Sequence, residues 1–179
     1  IGYGMIGAVA NDDQPTFKKL RNYYFKRLDG KGLMNWKING CTTSPTGDGM
    51  NAATDADLDV AMALVAASCK GWEGASADAN KILDAIRINE VDGTILKPGD
   101  AFGGADIFNP SYFAPGYYRV FATFQPAQAS FWTALADATY PLLEKCANKT
   151  TGFVPDWCSA SGSVPGGKSG IYGYDAART

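Results

Sequence analysis

Histidine is absent from the 179 residues. That excludes any nucleophilic triad built on imidazole and any zinc site that needs imidazole as a ligand. Cysteine is scarce. Cys41, Cys69, Cys146 and Cys158 form no C-x-x-C pair, so zinc-ribbon and thioredoxin-type motifs are not supported. An even count is compatible with disulfides in an exported protein and about equally with reduced core thiols, and three pairings stay open. No apolar run approaches the length of a membrane span, so no membrane partner is expected. No basic block is long enough to track phosphates and the net charge is -2, so nucleic acid is not an expected partner. A signal-peptide pattern and a starting Met are both lacking; the chain begins at Ile1 in mid-pattern, as a processed or truncated chain does.

What is present is a globular composition. The hydrophobic share is 46% and the aromatic share 12%, enough for one domain with a real core over residues 1–179, expected as a monomer. Asn148-Lys149-Thr150 fits the glycosylation sequon, a short pattern that also arises by chance.

Helical periodicity dominates the chain. Residues 4–10 read as the end of a first helix. Phe17, Leu20, Tyr24 and Leu28 recur at helical spacing after Pro15, which suits a helix start. Residues 60–70 form an alanine-rich third helix, and residues 77–89 a fourth with Ile82, Leu83 and Ile86 on one face. Residues 115–124 make a fifth and residues 127–147 a long sixth, which Pro141 should kink or divide. Between them lie polar stretches rich in Gly, Pro and Asn over residues 30–53, 91–111 and 152–173. Loops of that length in a compact domain are usually functional. Short pieces such as residues 36–38 can pair locally. Helix, helix, long loop, repeated at about 55 residues, implies stacked helical hairpins around one core, an all-α architecture.

The most informative run is Ala53-Thr54-Asp55-Ala56-Asp57-Leu58-Asp59-Val60-Ala61. Three carboxylates alternate and then give way to an apolar helix. Ionised carboxylates packed that closely repel, so at least one pKa should rise. Paired, environment-tuned carboxylates carry acid/base chemistry in a chain without histidine. A plain structural account also exists: Thr54 or Asp55 as N-cap, with Asp57 and Asp59 favoured by the dipole in the first turn.

The long loops set aromatics beside polar groups: Trp36, Phe102, Tyr112 in Asn109-Pro110-Ser111-Tyr112-Phe113-Ala114-Pro115, Trp157 in Val154-Pro155-Asp156-Trp157-Cys158, and Tyr172 and Tyr174 around Gly173. Aromatic rings stack on the apolar faces of sugars while Asn, Asp and Arg bond the hydroxyls, so this is the lining a polysaccharide groove needs. Burial of the same rings as loop anchors is the structural alternative.

The segments A-T-D-A-D-L-D-V-A, N-P-S-Y-F-A-P, V-P-D-W and Y-D-A-A-R, in that order, with G-Y-G-M at the start, resemble the signature segments of glycoside hydrolase family 8. The resemblance runs from residue 1 to residue 179. That family contains bacterial endoglucanases with related xylanases, chitosanases and lichenases. The resemblance implies an (α/α)6 barrel and an inverting mechanism, in which an acid and a water-activating base stand roughly 6.5–9.5 Å apart. It makes Asp175 the base, with Arg178 holding it ionised, the bland alternative being an i,i+3 surface ion pair. It makes Asp55 the aspartate that binds and helps distort the central sugar, with Asp57 second in that role or supporting Asp55 or the helix start. It places Trp36, Phe102, Tyr112 and Tyr174 at sugar-stacking positions.

Two substitutions depart from the family pattern. Phe102 stands where endoglucanases carry Trp, which implies weaker stacking, and Val60 stands where Ile or Met is usual, a conservative core change. The family's acid, the Glu of S-E-G-x-G-Y-G-M, falls two residues before Ile1, and Glu73, Glu90 and Glu144 sit in no matching context. The expectation is the central part of a catalytic domain, incomplete at both ends. The activity implied is that of an endo-β-1,4-glucanase on cellulose or related β-glucans, with no metal or other cofactor, in a protein exported by a bacterium. Chitosan, xylan and mixed-linkage glucan are alternative substrates. The alternative of another class is a non-catalytic glycan-binding helical domain lacking the acid.

Overall fold

Helix α3, Thr54–Cys69, organises the first half of the chain because its sequence lets neighbours approach closely. Ala61, Ala63 and Ala67 are all buried along it, with Leu58, Val60, Leu64 and Val65 filling the space between them. Helix α1, Gly2–Ala10, packs on α3 through glycine. A Cβ on Gly2 would lie 2.3 Å from Cβ of Asp59, so only glycine fits there. Helix α2, Gln14–Phe25, starts where Asp13 accepts from the Thr16 amide at 3.0 Å, and Pro15 follows in the first turn. Helix α4, Ala75–Asn89, returns along α3 with Ile82, Leu83 and Ile86 buried. Gly71, at φ +74, ends the run into the α3–α4 turn, and Phe17 of α2 meets Trp72 of that turn edge-on at 5.1 Å.

The computed structural model describes residues 1–179, which fold as two compact units. The first is Ile1–Asn89 with Gly99–Ala101, and the second is Glu90–Pro98 with Phe102–Thr179. In the second, a two-stranded hairpin, β1 Val91–Asp92 and β2 Ile95–Leu96, pairs Val91 with Leu96 across a turn at Gly93. Helices α5, Pro115–Phe124, and α6, Ala129–Cys146, pack through Trp132, which is fully buried against Tyr118 and Phe121. Its indole N–H donates to Gln125 Oε1 at 3.0 Å, so the ring's one polar atom is satisfied inside the core. The Tyr118 hydroxyl accepts from the Ala114 amide at 3.0 Å, and burial pushes its pKa well above the usual value.

A second cluster gathers Phe108, Leu142, Cys146 and Cys158, with Ile95, Phe113, Val154 and Ala160 against it. Cys146 and Cys158 are disulfide-bonded, while Cys41 and Cys69 are free thiols at the surface. One pairing of those left open by the sequence is therefore formed.

Several boundaries differ from the periodicity reading. Helix α3 starts six residues before residue 60, so the aspartates lie inside it rather than ahead of it. Its N-cap is Ala53, which has no capping side chain, so neither Thr54 nor Asp55 is the cap. Leu28 lies beyond α2 and pairs in an isolated bridge with Met34. Pro141 does not divide α6. Pro141 and Asp137, whose carbonyl has no amide donor at position 141, are both exposed, so the missing hydrogen bond falls on the solvent side of the helix. Ile38 bridges Pro45, a local pairing of the kind expected near residues 36–38. No helix is long and apolar enough to cross a membrane.

Candidate active site

In the first unit, helical geometry redistributes the aspartate run. Alternate residues share one face of a strand, but on a helix Asp55 and Asp59 fall on one side and Asp57 on the other. The close packing of all three carboxylates expected from the sequence is therefore not realised. Asp55 is half-buried in the first turn of α3, its Oδ1 accepting from the Ala56 amide at 3.0 Å. Asp57 is 1% exposed and accepts from the buried Tyr24 hydroxyl of α2. That contact ties α2 to the start of α3.

Trp36 is held for display. Its amide donates to the Asn51 carbonyl at 2.9 Å and its indole N–H to the Asp48 carbonyl at 3.0 Å, while the residue remains 49% exposed. Lys37 donates to the Asp48 carboxylate at 2.8 Å, and that bond, aided by Thr46, holds the Asp48 carboxyl down at about 2. The start of α3 is tethered too. Asp100 is 6% exposed, and its Oδ1 accepts from the Ala52 amide at 2.7 Å. Its Oδ2 pairs with Lys31 at 2.9 Å. Burial pushes the Asp100 carboxyl upward, but the Ala52 amide, Lys31 and Asp29 outweigh it and hold the group below the ordinary carboxylate value.

In the second unit, residues 109–112 and 173–179 are drawn together. Arg178, at the end of the short 3-10 turn Ala176–Arg178, donates to Asp175 Oδ1 at 2.8 Å. The same guanidinium nitrogen reaches Ser111 Oγ at 3.3 Å, and the Arg178 Cζ lies 5.5 Å from the centre of the Tyr112 ring. Asn109, 1% exposed, donates from Nδ2 to Asp175 Oδ2 at 3.1 Å. Its Oδ1 is occupied by the Ser111 amide at 3.0 Å and hydroxyl at 2.7 Å, which fixes the amide's orientation and points its N–H groups at the carboxylate. Each Asp175 oxygen thus has a donor from a different segment. That is more than a bare i,i+3 surface pair, although the i,i+3 contact is present.

Behind this carboxylate stands Asp156, whose Oδ1 accepts from the Gly173 amide at 3.1 Å and the Ala176 amide at 2.7 Å. Tyr174 is 90% exposed and Phe102 42% exposed, with Phe102 and Trp157 ring centres 6.5 Å apart. The structure therefore groups Asp175, Arg178 and Tyr112 directly. It leaves the Tyr174 ring out in solvent. Reading of the sequence did not single out Asn109 or Asp156. The Asn-Pro-Ser pattern signals a side chain that bonds its own turn two residues on. Nothing local links Asp156 to Gly173.

The sequence pattern of Glycosyl hydrolases family 8 matches residues 1–178, and the chain belongs to that family. It is 41% identical over 190 positions to Endoglucanase A of Acetivibrio thermocellus, covering 99% of this chain and 39% of that protein. It is 41% identical over 184 positions to Endoglucanase 2 of Ruminiclostridium josui, covering 99% of this chain and 40% of that protein. The chain thus spans about two-fifths of the length of these curated relatives. A solved GH8 endo-beta-1,4-glucanase from an Achatina fulica gut metagenomic library matches with a TM-score of 0.79 at 30% identity, over 90% of this chain and 54% of that one. A reducing-end-xylose releasing exo-oligoxylanase matches with a TM-score of 0.85 over 99% of this chain and 52% of that one, at 22% identity, a likeness of fold alone. The all-α fold class, that of (α/α)6 barrel enzymes, is as the sequence implied.

Proposed function

We propose that residues 1–179 are part of a single catalytic domain of an inverting endo-β-1,4-glucanase acting on cellulose or related β-glucans. The observation that carries this reading is the Asp175 carboxylate, with Arg178 and Asn109 each donating to one of its oxygens, in a family 8 chain. Those donors fix the carboxylate's orientation. A base in an inverting glycosidase has to aim one lone pair at a water molecule on the far side of the sugar ring. Arg178 also brings positive charge beside it and, lying against Tyr112, joins the base to an aromatic wall.

Asp55 at the start of α3 is the residue we assign to binding and distorting the central sugar, with Asp57 supporting that helix start from within through Tyr24. Trp36, Phe102, Tyr112 and Tyr174 are the stacking platforms. Asp175 takes a proton from water as the water oxygen bonds the anomeric carbon and the glycosidic C–O bond breaks, a general acid protonates the departing oxygen, and the product leaves with α configuration. The acid's role is not assigned to Glu73, Glu90 or Glu144. The partner is a β-1,4-linked polysaccharide, bound by a monomer, with neither nucleic acid nor membrane involved. Secretion is supported by the Cys146–Cys158 disulfide, which persists in oxidising compartments.

The test is the anomeric form of the first product released from cello-oligosaccharides by the full-length protein, followed by NMR. The α anomer is expected, and Asp175→Asn should lower turnover by about 10²-fold or more. Retention of configuration, or full activity of that variant, would sink the mechanism. Affinity for the oligosaccharides with no turnover would instead support a glycan-binding domain.

A further inference from the structure

We propose that Asp156 is a positioning residue for Asp175, acting by capping the turn that carries it and so releasing the Asp175 carboxylate for chemistry. This rests on the reading of Asp175 as the base.

Asp175 occupies the N-cap position of the turn Ala176–Arg178, yet its side chain makes no capping hydrogen bond. An aspartate at that position ordinarily folds its carboxylate back onto the amides of its own turn. A carboxylate spent that way points at its own backbone and not at a water molecule. Here a different residue does the capping. Asp156 Oδ1 takes the amides of Gly173 and Ala176, which flank Asp175 on both sides, at 3.1 and 2.7 Å. The Asp175 carboxylate is then drawn outward by Asn109 and Arg178.

Gly173 belongs to the same device. A Cβ at that position would sit 2.3 Å from Asp156 Oδ2 and 3.1 Å from Oδ1, so the carboxylate occupies the space any side chain would need. Asp156 is itself anchored. Its amide donates to the Ile171 carbonyl at 3.0 Å, and two residues on, Cys158 exchanges backbone bonds with Phe108 and is tied to α6 by the disulfide. Asn109 follows Phe108 directly. One short bridge therefore registers both grips on the base: Asn109 on its Oδ2 and Asp156 on its backbone.

The test compares kcat and KM on a soluble cello-oligosaccharide for variants of the full-length enzyme, with near-UV circular dichroism reporting the fold. Asp156→Ala should lower kcat by about 10²-fold with KM changed by less than about threefold, because a misaimed base harms the transition state and not ground-state binding. Asp156→Asn keeps an Oδ1 acceptor and should recover kcat to within about fivefold of the parent, with the acidic limb of the pH profile unmoved. Gly173→Ala leaves residue 156 an aspartate but pushes its carboxylate away and should mimic Asp156→Ala. In the double variant its cost should vanish.

An Asp156→Ala enzyme within about twofold of the parent would overturn the proposal, and so would multiplying costs in the double variant. Asp156→Asn as inactive as Asp156→Ala would overturn it as well, by making Asp156 a proton-transfer group itself. If Asp156→Ala fails to fold, the Asn and Gly173→Ala variants still decide. Full activity of Asp175→Asn would overturn the base assignment beneath the proposal, a result read separately from any Asp156 variant.

Discussion

Replacing Asp100 separates a structural hydrogen bond from a charge effect in one residue. Its Oδ1 serves the buried Ala52 amide at 2.7 Å, and its Oδ2 faces Lys31, which also donates to the Asp100 carbonyl at 2.9 Å. Asp100→Ala strands the Ala52 N–H, at a cost of about 1–3 kcal/mol. It also removes the ion pair, worth about 1 kcal/mol or less because the Lys31 side chain is 45% exposed. The expected loss is about 1–4 kcal/mol. Asp100→Asn keeps the acceptor for Ala52 and loses the charge, for about 1 kcal/mol.

The two variants also differ with pH. The Asp100 pKa is lowered in the folded state, so the unfolded chain takes up a proton first as pH falls. The charge contribution is therefore complete above about pH 4, the ordinary aspartate value, and is lost as pH drops through the depressed folded value. Urea unfolding of parent and Asp100→Asn should show a constant gap from pH 7 to about pH 5 that closes below about pH 4. A gap that does not narrow on acidification would show that the Asp100 charge does not stabilise the fold, and Asp100→Asn as unstable as Asp100→Ala would show that the Ala52 bond does not. Because Ala52 lies just before α3, the Ala variant should also raise KM through a displaced Asp55.

Three further outcomes are expected. Tyr24→Phe deletes the donor to buried Asp57 and should cost about 1.5–3 kcal/mol in urea unfolding; a change below about 0.5 kcal/mol would mean that this bond does not hold α2 to α3. Trp36→Ala should raise KM on cello-oligosaccharides about tenfold while kcat stays within about twofold, and an unchanged KM would remove Trp36 from the substrate groove. Reduction of Cys146–Cys158, which closes a separation of 12 residues, should cost about 3 kcal/mol, seen as a lower thermal midpoint with reductant; no shift would show that the loop is held without the disulfide.

Helix existence was legible because burying a helix on one side imposes a 3.6-residue pattern on its sequence, and α5 and most of α4 fall where Ile82, Leu83, Ile86 and the Pro115 start place them. Boundaries were less legible where one signal masked another. The aspartates of α3 read as a polar lead-in because alternation hides helical phase, yet Asp57 is a buried core position. Pro141 read as a breaker because sequence does not say which side of a helix faces water.

The site divides in the same way. Sequence determined the chemical inventory: no imidazole, carboxylates at Asp55 and Asp175, a cation three residues from the latter, and aromatic rings in long polar loops. Those follow from residue identity and short spacing, which the chain states directly. Only the tertiary structure decided that Asp57 turns inward to Tyr24, that Cys146 pairs with Cys158, and that Asn109 and Asp156 converge on Asp175 from 66 and 19 positions away. Contacts over such separations depend on where the backbone bridge between Phe108 and Cys158 sets two loops, and no local pattern encodes that register.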